Sequence, residues 1–339
     1  MNAIVYDAPL KFSYRSVPDP EPGPDEVLLK VQACGVCGTD IHIHHGDFAS
    51  RFPLIPGHEF TGEIVGIGSE VKDLQVGQRV VGNSNMACGK CFYCLRGDTL
   101  LCTDMESYGV TIPGGFADFL KIKADRIFPL RNLTSREAVM VEPTACAVHG
   151  TEVLDAKPGS SVLLFGAGPT GQVLAQLIKL NGATNLVVAA PPGPKLDLAA
   201  KLAADTVVAI DKNDPEKHRR RLNELAPHGF DYVVEATGSP QMCQETLRFV
   251  RRRGTILVYG VYPPNAAVAF DPFDVFRREL TIKGSFAQID SFPRSLSYLE
   301  SGRVKVNEIV THEIPLKDWG EALELIDLRQ GIKMALIPS

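Results

Sequence analysis

Short apolar runs broken by glycine and proline dominate residues 1 to about 150. Beyond them the chain alternates apolar strand-like runs with amphipathic stretches. In the first part, residues 27–31, 61–67, 79–81 and 116–122 read as strands bounded by turn residues, and helical periodicity is scarce. That pattern predicts a compact, partly closed β structure. From Ser161 the period changes. Ser161–Phe165, 186–190, 206–210, 231–236 and 255–260 read as strands, with 280–283 as a sixth. Residues 170–180, 195–203, Pro215–Leu225 and 241–250 read as the helices between them. This alternation predicts an α/β domain with a doubly wound parallel sheet over 154–285.

The last part returns to mixed signals, with helices over 292–301 and 319–328 and extended pieces at 312–316 and 334–337. The β-rich first part has no long helix of its own, so this tail is expected to pack back onto it. Residues 1–153 and 286–339 would then form one domain, with 154–285 inserted and the active site in the cleft between the two.

Composition narrows the function classes. A chain of 339 residues is long for one core, which agrees with two domains. A net charge of −5 argues against nucleic acid and anionic membranes as partners. The arginine runs 219–221 and 251–253 are expected on solvated helix faces or ends. No run approaches the roughly 20 apolar residues of a membrane span, and residues 1–27 show neither a signal core nor a transit pattern. Eight cysteines in such a chain suggest metal ligands and buried thiols in a reducing compartment, hence a cytoplasmic protein.

Candidate chemistry sits in three places. Cys88, Cys91, Cys94 and Cys102, in a lobe of about residues 84–105, have the spacing of a closed four-thiolate zinc site with no open position. Two disulfides or free thiols are the rival readings. A second set pairs a thiolate with an imidazole, Cys37 in GVCGTDIH and His58 in PGHEF, as a catalytic zinc does when one position stays open. Glu142 is a candidate third ligand or a partner of metal-bound water. Glu59 is placed for direct or outer contact, and Asp40 can accept the other ring N–H of His58. His44 and His45 read as solvated or substrate-facing loop residues, and Cys34, Cys146 and Cys243 as small buried side chains.

The third place is Gly166-Ala167-Gly168-Pro169-Thr170-Gly171, between a strand and a helix. Gly166 makes the turn, Gly168 admits a pyrophosphate, Gly171 allows close packing, and the helix starting around Pro169 and Thr170 presents its N-terminus to phosphate. The next strand ends at Ala190 with no carboxylate, and Lys195 follows. An acid there would repel a 2′-phosphate, so NADP is favoured over NAD.

Together GVCGTDIH, IPGHEFTGEIVGIG, the four-cysteine lobe, VEPTACAVHG and GAGPTG resemble the zinc-dependent medium-chain dehydrogenase/reductase superfamily over essentially the whole chain. The resemblance implies a GroES-like catalytic domain around a Rossmann domain and two Zn²⁺ per subunit, one catalytic and one structural. It also implies Thr39 and His42 as a proton relay, and a homodimer or homotetramer. Glutamate at Glu142 resembles the polyol dehydrogenase branch, so a sugar alcohol and its ketose are the expected substrates. Threonine 3-dehydrogenases share that glutamate, and secondary-alcohol dehydrogenases are a further alternative. Ala287 and Ile43 stand where sorbitol dehydrogenases resemble one another in carrying arginine and often tyrosine. The expected substrate is therefore a pentitol such as arabinitol or xylitol, with sorbitol a hexitol alternative. A non-catalytic nucleotide-binding protein is the rival of a different class, and the intact ligand and relay set argues against it.

Overall fold

Residues 26–35, EVLLKVQACG, put Val27, Leu29, Val31 and Ala33 on one buried face and alternate them with more exposed positions. That period of two makes the segment a strand, and its place in the middle of a sheet makes it the frame of the first unit. The computed structural model describes residues 1–339 except Phe48, Ala49, Lys212, Pro264 and Ile289. It divides into one unit of Met1–Pro143 with Phe292–Ser339 and a second of Thr144–Ser291.

In the first unit Glu26–Gly35 pairs antiparallel with Glu59–Ile67, with Phe119–Lys123 and with Lys333–Ile337. The sheet runs Val310–Pro315, Lys333–Ile337, Glu26–Gly35, Glu59–Ile67, Arg79–Gly82, Ile127–Pro129. A hairpin of Asn2–Ala8 and Lys11–Ser16 lies beside it. That hairpin was not expected: Ala3, Ile4, Val5 and Tyr6 are buried in succession, so the first strand has no alternation to read.

The core of this unit gathers on Trp319, the sole tryptophan, which is wholly buried with Phe116 at 5.2 Å between ring centres. Its indole N–H donates to the Tyr6 hydroxyl at 2.8 Å, and that hydroxyl lies 2.8 Å from His44 Nδ1. Indole can only donate, so Tyr6 spends its own proton on His44, and His44 carries its proton on Nε2. His44 is thus a structural group in the helix Gly38–His45, not a solvated loop residue.

The second unit holds a six-stranded sheet in the order Thr206–Ala209, Asn185–Ala190, Ser161–Phe165, Phe230–Glu235, Val250–Val258, Thr281–Gly284, every pair parallel. Five of its helices start on proline: Pro169–Leu180, Pro194–Leu202, Pro215–Leu225, Pro240–Phe249 and Pro272–Arg278. Proline suits a first turn because the missing N–H had no helical partner there. The first, second and fourth therefore begin one residue earlier than the apolar period suggests.

Two readings need correction. Residues 251–253 lie in the strand Val250–Val258, where Arg251 pairs with Asp231 at 2.5 Å, and not on a helix. The boundary between the units falls inside a helix, Val141–Leu154, that periodicity did not announce. Of its positions only Glu152 is exposed, so no polar stripe marks it.

Burial, then the neighbouring His45, lowers the pKa of His44. A histidine disfavoured from charging in the fold contributes stability that is present above its unfolded pKa of about 6.5 and is lost as pH falls below that value. Tyr6→Phe strands Trp319 Nε1 and His44 Nδ1 and should destabilise by about 1–3 kcal/mol in urea unfolding at pH 7. The variant should also lose less on going to pH 5.5 than the parent. An equal loss would take His44 out of the acid response.

Candidate metal and nucleotide sites

The central strand ends where the first donor set begins. Cys37 takes an extended conformation and caps the helix Gly38–His45, its N–H donating to Asp40 Oδ2 at 2.8 Å. A carboxylate in this position satisfies an orphan donor and complements the helix dipole. The other oxygen, Oδ1, approaches His58 Nδ1 to 3.7 Å, and neither atom has a hydrogen-bond partner. The expected Asp40–His58 pairing is therefore an approach and not a hydrogen bond. Both groups are buried.

Cys37, His58 and Glu59 present ligand atoms that all lie within 4.8 Å of one another. Burial disfavours charge on His58, yet Asp40 and then Cys37 outweigh it and hold the imidazole well above its usual pKa. A pocket that keeps a proton on a sealed imidazole is one whose field favours a cation. Glu142, buried in the first turn of Val141–Leu154, lies outside that 4.8 Å set.

Glu59 has a partner that the sequence did not suggest. Lys333, 4% exposed, forms an ion pair with Glu59 Oε2. The two residues sit on strands either side of Glu26–Gly35, and Gly35 faces Glu59 in the register. A Cβ on Gly35 would lie 2.1 Å from Glu59 Oε2 and 3.1 Å from Lys333 Cε, so the pair meets across a position that only glycine leaves open. Burial lowers the lysine's pKa, but Glu59, followed by Cys37, more than reverses this, and it stays protonated.

Around this centre, Thr39 Oγ1 is 3.7 Å from Cys37 Sγ, and His42 Nδ1 is 2.9 Å from Asp47 Oδ1. Ile43 is fully buried, so it does not shape a solvent-facing pocket as its resemblance to a tyrosine position implied.

The sulfurs of Cys88, Cys91, Cys94 and Cys102 form the other converging set, again within 4.8 Å, and all eight cysteines of the chain are free. Cys88 N–H donates to Cys102 Sγ at 3.2 Å, and the Cys91 and Cys94 sulfurs are 3.5 Å apart. Backbone N–H groups of Cys94 and then Thr103 bring Cys91 down to about 6, whereas desolvation and then Cys91 push Cys94 up to about 12. Four thiols this close cannot all ionise unaided, and a soft divalent cation removes that conflict. Both donor sets thus fit zinc: four sulfurs with no open position, and a thiolate, imidazole and carboxylate with room for one more ligand. Among the described residues no other group of this kind converges.

In the second unit, Gly168 caps Pro169–Leu180 without a side-chain hydrogen bond, which leaves the N–H groups of that first turn facing outward. A Cβ on Gly171 would lie 2.4 Å from Gly166 O, so the helix rests directly on the turn. Ala190 ends its strand 3% exposed, and Lys195 stands in the first turn of Pro194–Leu202. Gln172, wholly buried and missed by motif reading, joins these parts: its amide donates to Ala167 O at 2.9 Å and Lys195 O at 2.6 Å.

Comparison with known proteins agrees with both halves. Residues 23–132 match the alcohol dehydrogenase GroES-like domain and residues 169–301 the zinc-binding dehydrogenase domain. D-arabinitol dehydrogenase 1 of Uromyces fabae is 49% identical over 100% of this chain and 97% of its own. D-altritol 5-dehydrogenase of Agrobacterium fabrum is 34% identical, with 94% of each chain covered. A protein assigned as a zinc-binding dehydrogenase from Sinorhizobium meliloti 1021, solved bound to NADP, superposes with a TM-score of 0.93 at 32% identity, covering 99% of each chain.

Lys333→Met leaves the Glu59 carboxylate buried without its cation and should cost about 3–5 kcal/mol, read as a fall in the urea midpoint. A cost under about 1 kcal/mol would mean that another cation already neutralises Glu59.

Proposed function

The chain belongs to the zinc-binding dehydrogenases that carry an alcohol dehydrogenase GroES-like domain and a Rossmann-like domain, and from this we propose that it oxidises a secondary hydroxyl of a pentitol, D-arabinitol foremost, to the ketose and reverses the reaction. The observation that carries the substrate is the 49% identity to a D-arabinitol dehydrogenase along the whole chain. Threonine and simple alcohols are the rival substrates.

Cys37 and His58 hold the catalytic zinc, with Glu59 or Glu142 completing the set, and Cys88, Cys91, Cys94 and Cys102 hold the structural one, two per subunit. When bound, the first metal supplies Lewis acidity at the substrate hydroxyl and the nicotinamide accepts hydride. The chain's own part is to orient and to move a proton. Thr39, next to Cys37, takes the hydroxyl proton, and His42 passes it outward. Its Nδ1 contact with Asp47 fixes the tautomer that leaves Nε2 free to accept. Asp40 steers the His58 ring.

NADP is the cofactor of choice over NAD. Ala190 and Lys195 support this, as does the NADP-bound relative. Assembly into a homodimer or homotetramer is supported by the edge strand Thr281–Gly284 and by Phe273 and Phe276, 62% and 77% exposed. Free cysteines favour the cytoplasm, and among the described residues no helix is long and apolar enough to cross a membrane.

Initial rates on pentitols, hexitols, L-threonine and simple alcohols, each with NADP⁺ and NAD⁺, test the reading. D-arabinitol should be fastest, and faster with NADP⁺. A preference for threonine would move the protein to another branch. Ala190→Asp should lower kcat/KM for NADP⁺ on the order of 100-fold, since a carboxylate near a 2′-phosphate costs several kcal/mol, and should leave NAD⁺ as the better cofactor. An unchanged ratio would detach that strand end from the choice.

A further inference from the structure

Glu235 closes the strand Phe230–Glu235 and is wholly buried. It lies in none of the motifs discussed above, yet it is the most heavily hydrogen-bonded carboxylate of the second unit. Oε1 accepts from the Thr237 N–H at 2.7 Å and from the Thr237 hydroxyl. Oε2 accepts from the Gly238 N–H at 3.2 Å and from the Tyr262 hydroxyl. Its main-chain oxygen accepts from the N–H groups of Tyr259 and Gly260, each at 2.9 Å. The donors to the carboxylate are two peptides and two hydroxyls, so this acid is buried by hydrogen bonding alone.

Its position gives this network a purpose. Phe230–Glu235 pairs with Ser161–Phe165, and the sheet order reverses between these two strands. In an open parallel sheet a ligand binds at the carboxyl ends beside such a reversal. One wall there is the loop at Gly166 and Gly168, the other the turn at 236–238. The walls touch: a Cβ on Gly166 would lie 2.9 Å from Ala236 O. Behind the second wall, a Cβ on Gly260 would lie 2.3 Å from Gly238 N, and one on Gly238 2.2 Å from Val261 O. Three loops therefore meet backbone to backbone, with the Glu235 carboxylate and Tyr262 hydroxyl inside.

We propose that Glu235, locked by Tyr262, is a positioning residue for the dinucleotide, holding the 236–238 turn as the fixed far wall of the crevice. The inference rests on the nucleotide-binding reading above and adds a polarity to it. Glu235 consumes the N–H donors of Thr237 and Gly238, so this wall offers none of them to phosphate. The helix at Gly168, whose donors face outward, takes the pyrophosphate, and the far wall takes an uncharged part of the cofactor.

The test is fluorescence titration of the intact protein with NADPH and NADH, as parent, Tyr262→Phe and Glu235→Gln, together with zinc content and steady-state kinetics. Tyr262→Phe should raise the NADPH Kd about 3–10-fold and Glu235→Gln about 10–30-fold. Zinc content should be unchanged, and kcat at saturating cofactor should stay within about twofold. A purely structural Glu235 would lower the melting temperature and leave the Kd untouched, and a Kd within about twofold of the parent in both variants overturns the proposal. If Glu235→Gln does not fold, Tyr262→Phe, which keeps the ring, decides alone. A parent that binds neither nucleotide would remove the cofactor reading itself, an outcome distinct from unchanged variants.

Discussion

Glu59, Asp40 and His58 are sealed from water around Cys37, and this concentration of acid and thiol without solvent is what the first unit is arranged to tolerate. Charge in such a place persists only with a counter-charge or a full set of hydrogen bonds. Lys333 answers Glu59 from across the central strand, the Cys37 N–H answers one Asp40 oxygen, and the atoms that remain unpaired, Asp40 Oδ1 and His58 Nδ1, face each other. The sheet order follows from this. Gly35 must lack a side chain, Lys333–Ile337 must lie beside Glu26–Gly35, and helix Gly38–His45 must start at Cys37.

The second unit meets the same physical demand by other means. Glu235 is as deeply buried as Glu59 but is held by hydroxyl and peptide donors, with no lysine brought to it. A cation-matched acid beside a thiolate and an imidazole suits a metal. An acid already saturated with donors stiffens backbone and leaves nothing for a ligand. The contrast assigns the two carboxylates to different tasks although both are invisible to a count of charged residues.

Much of this was legible because it depends on local rules. The glycines from Gly166 to Gly171, the four-cysteine spacing and the Cys37 and His58 motifs each express a short-range geometric need, and the strand–helix alternation after Ser161 is periodic. What escaped depends on distant partners. Nothing near Lys333 in sequence says that Glu59 lies opposite. His44 reads as a loop histidine until Tyr6 and Trp319 come beside it, and Val141–Leu154 lacks a polar stripe because it is covered nearly all round. The polyol reading rests on similarity along the chain, since residue chemistry alone names a metal and a nucleotide but not a sugar alcohol.

Because Lys333 supplies the counter-charge for Glu59, the order of synthesis matters. The second unit is one continuous stretch and can fold as soon as it has left the ribosome, while the first unit waits with its donor set half-built until the strand that carries Lys333 arrives. Close to 300 residues of sequence separate the ends of that pairing, a contact slow to form by chance. A nascent chain stalled in between would display cysteines, a histidine and acidic groups with no fixed geometry, open to whatever ion or oxidant meets them first. For this fold the cell's supply of free metal and reductant acts during translation, before any substrate is seen.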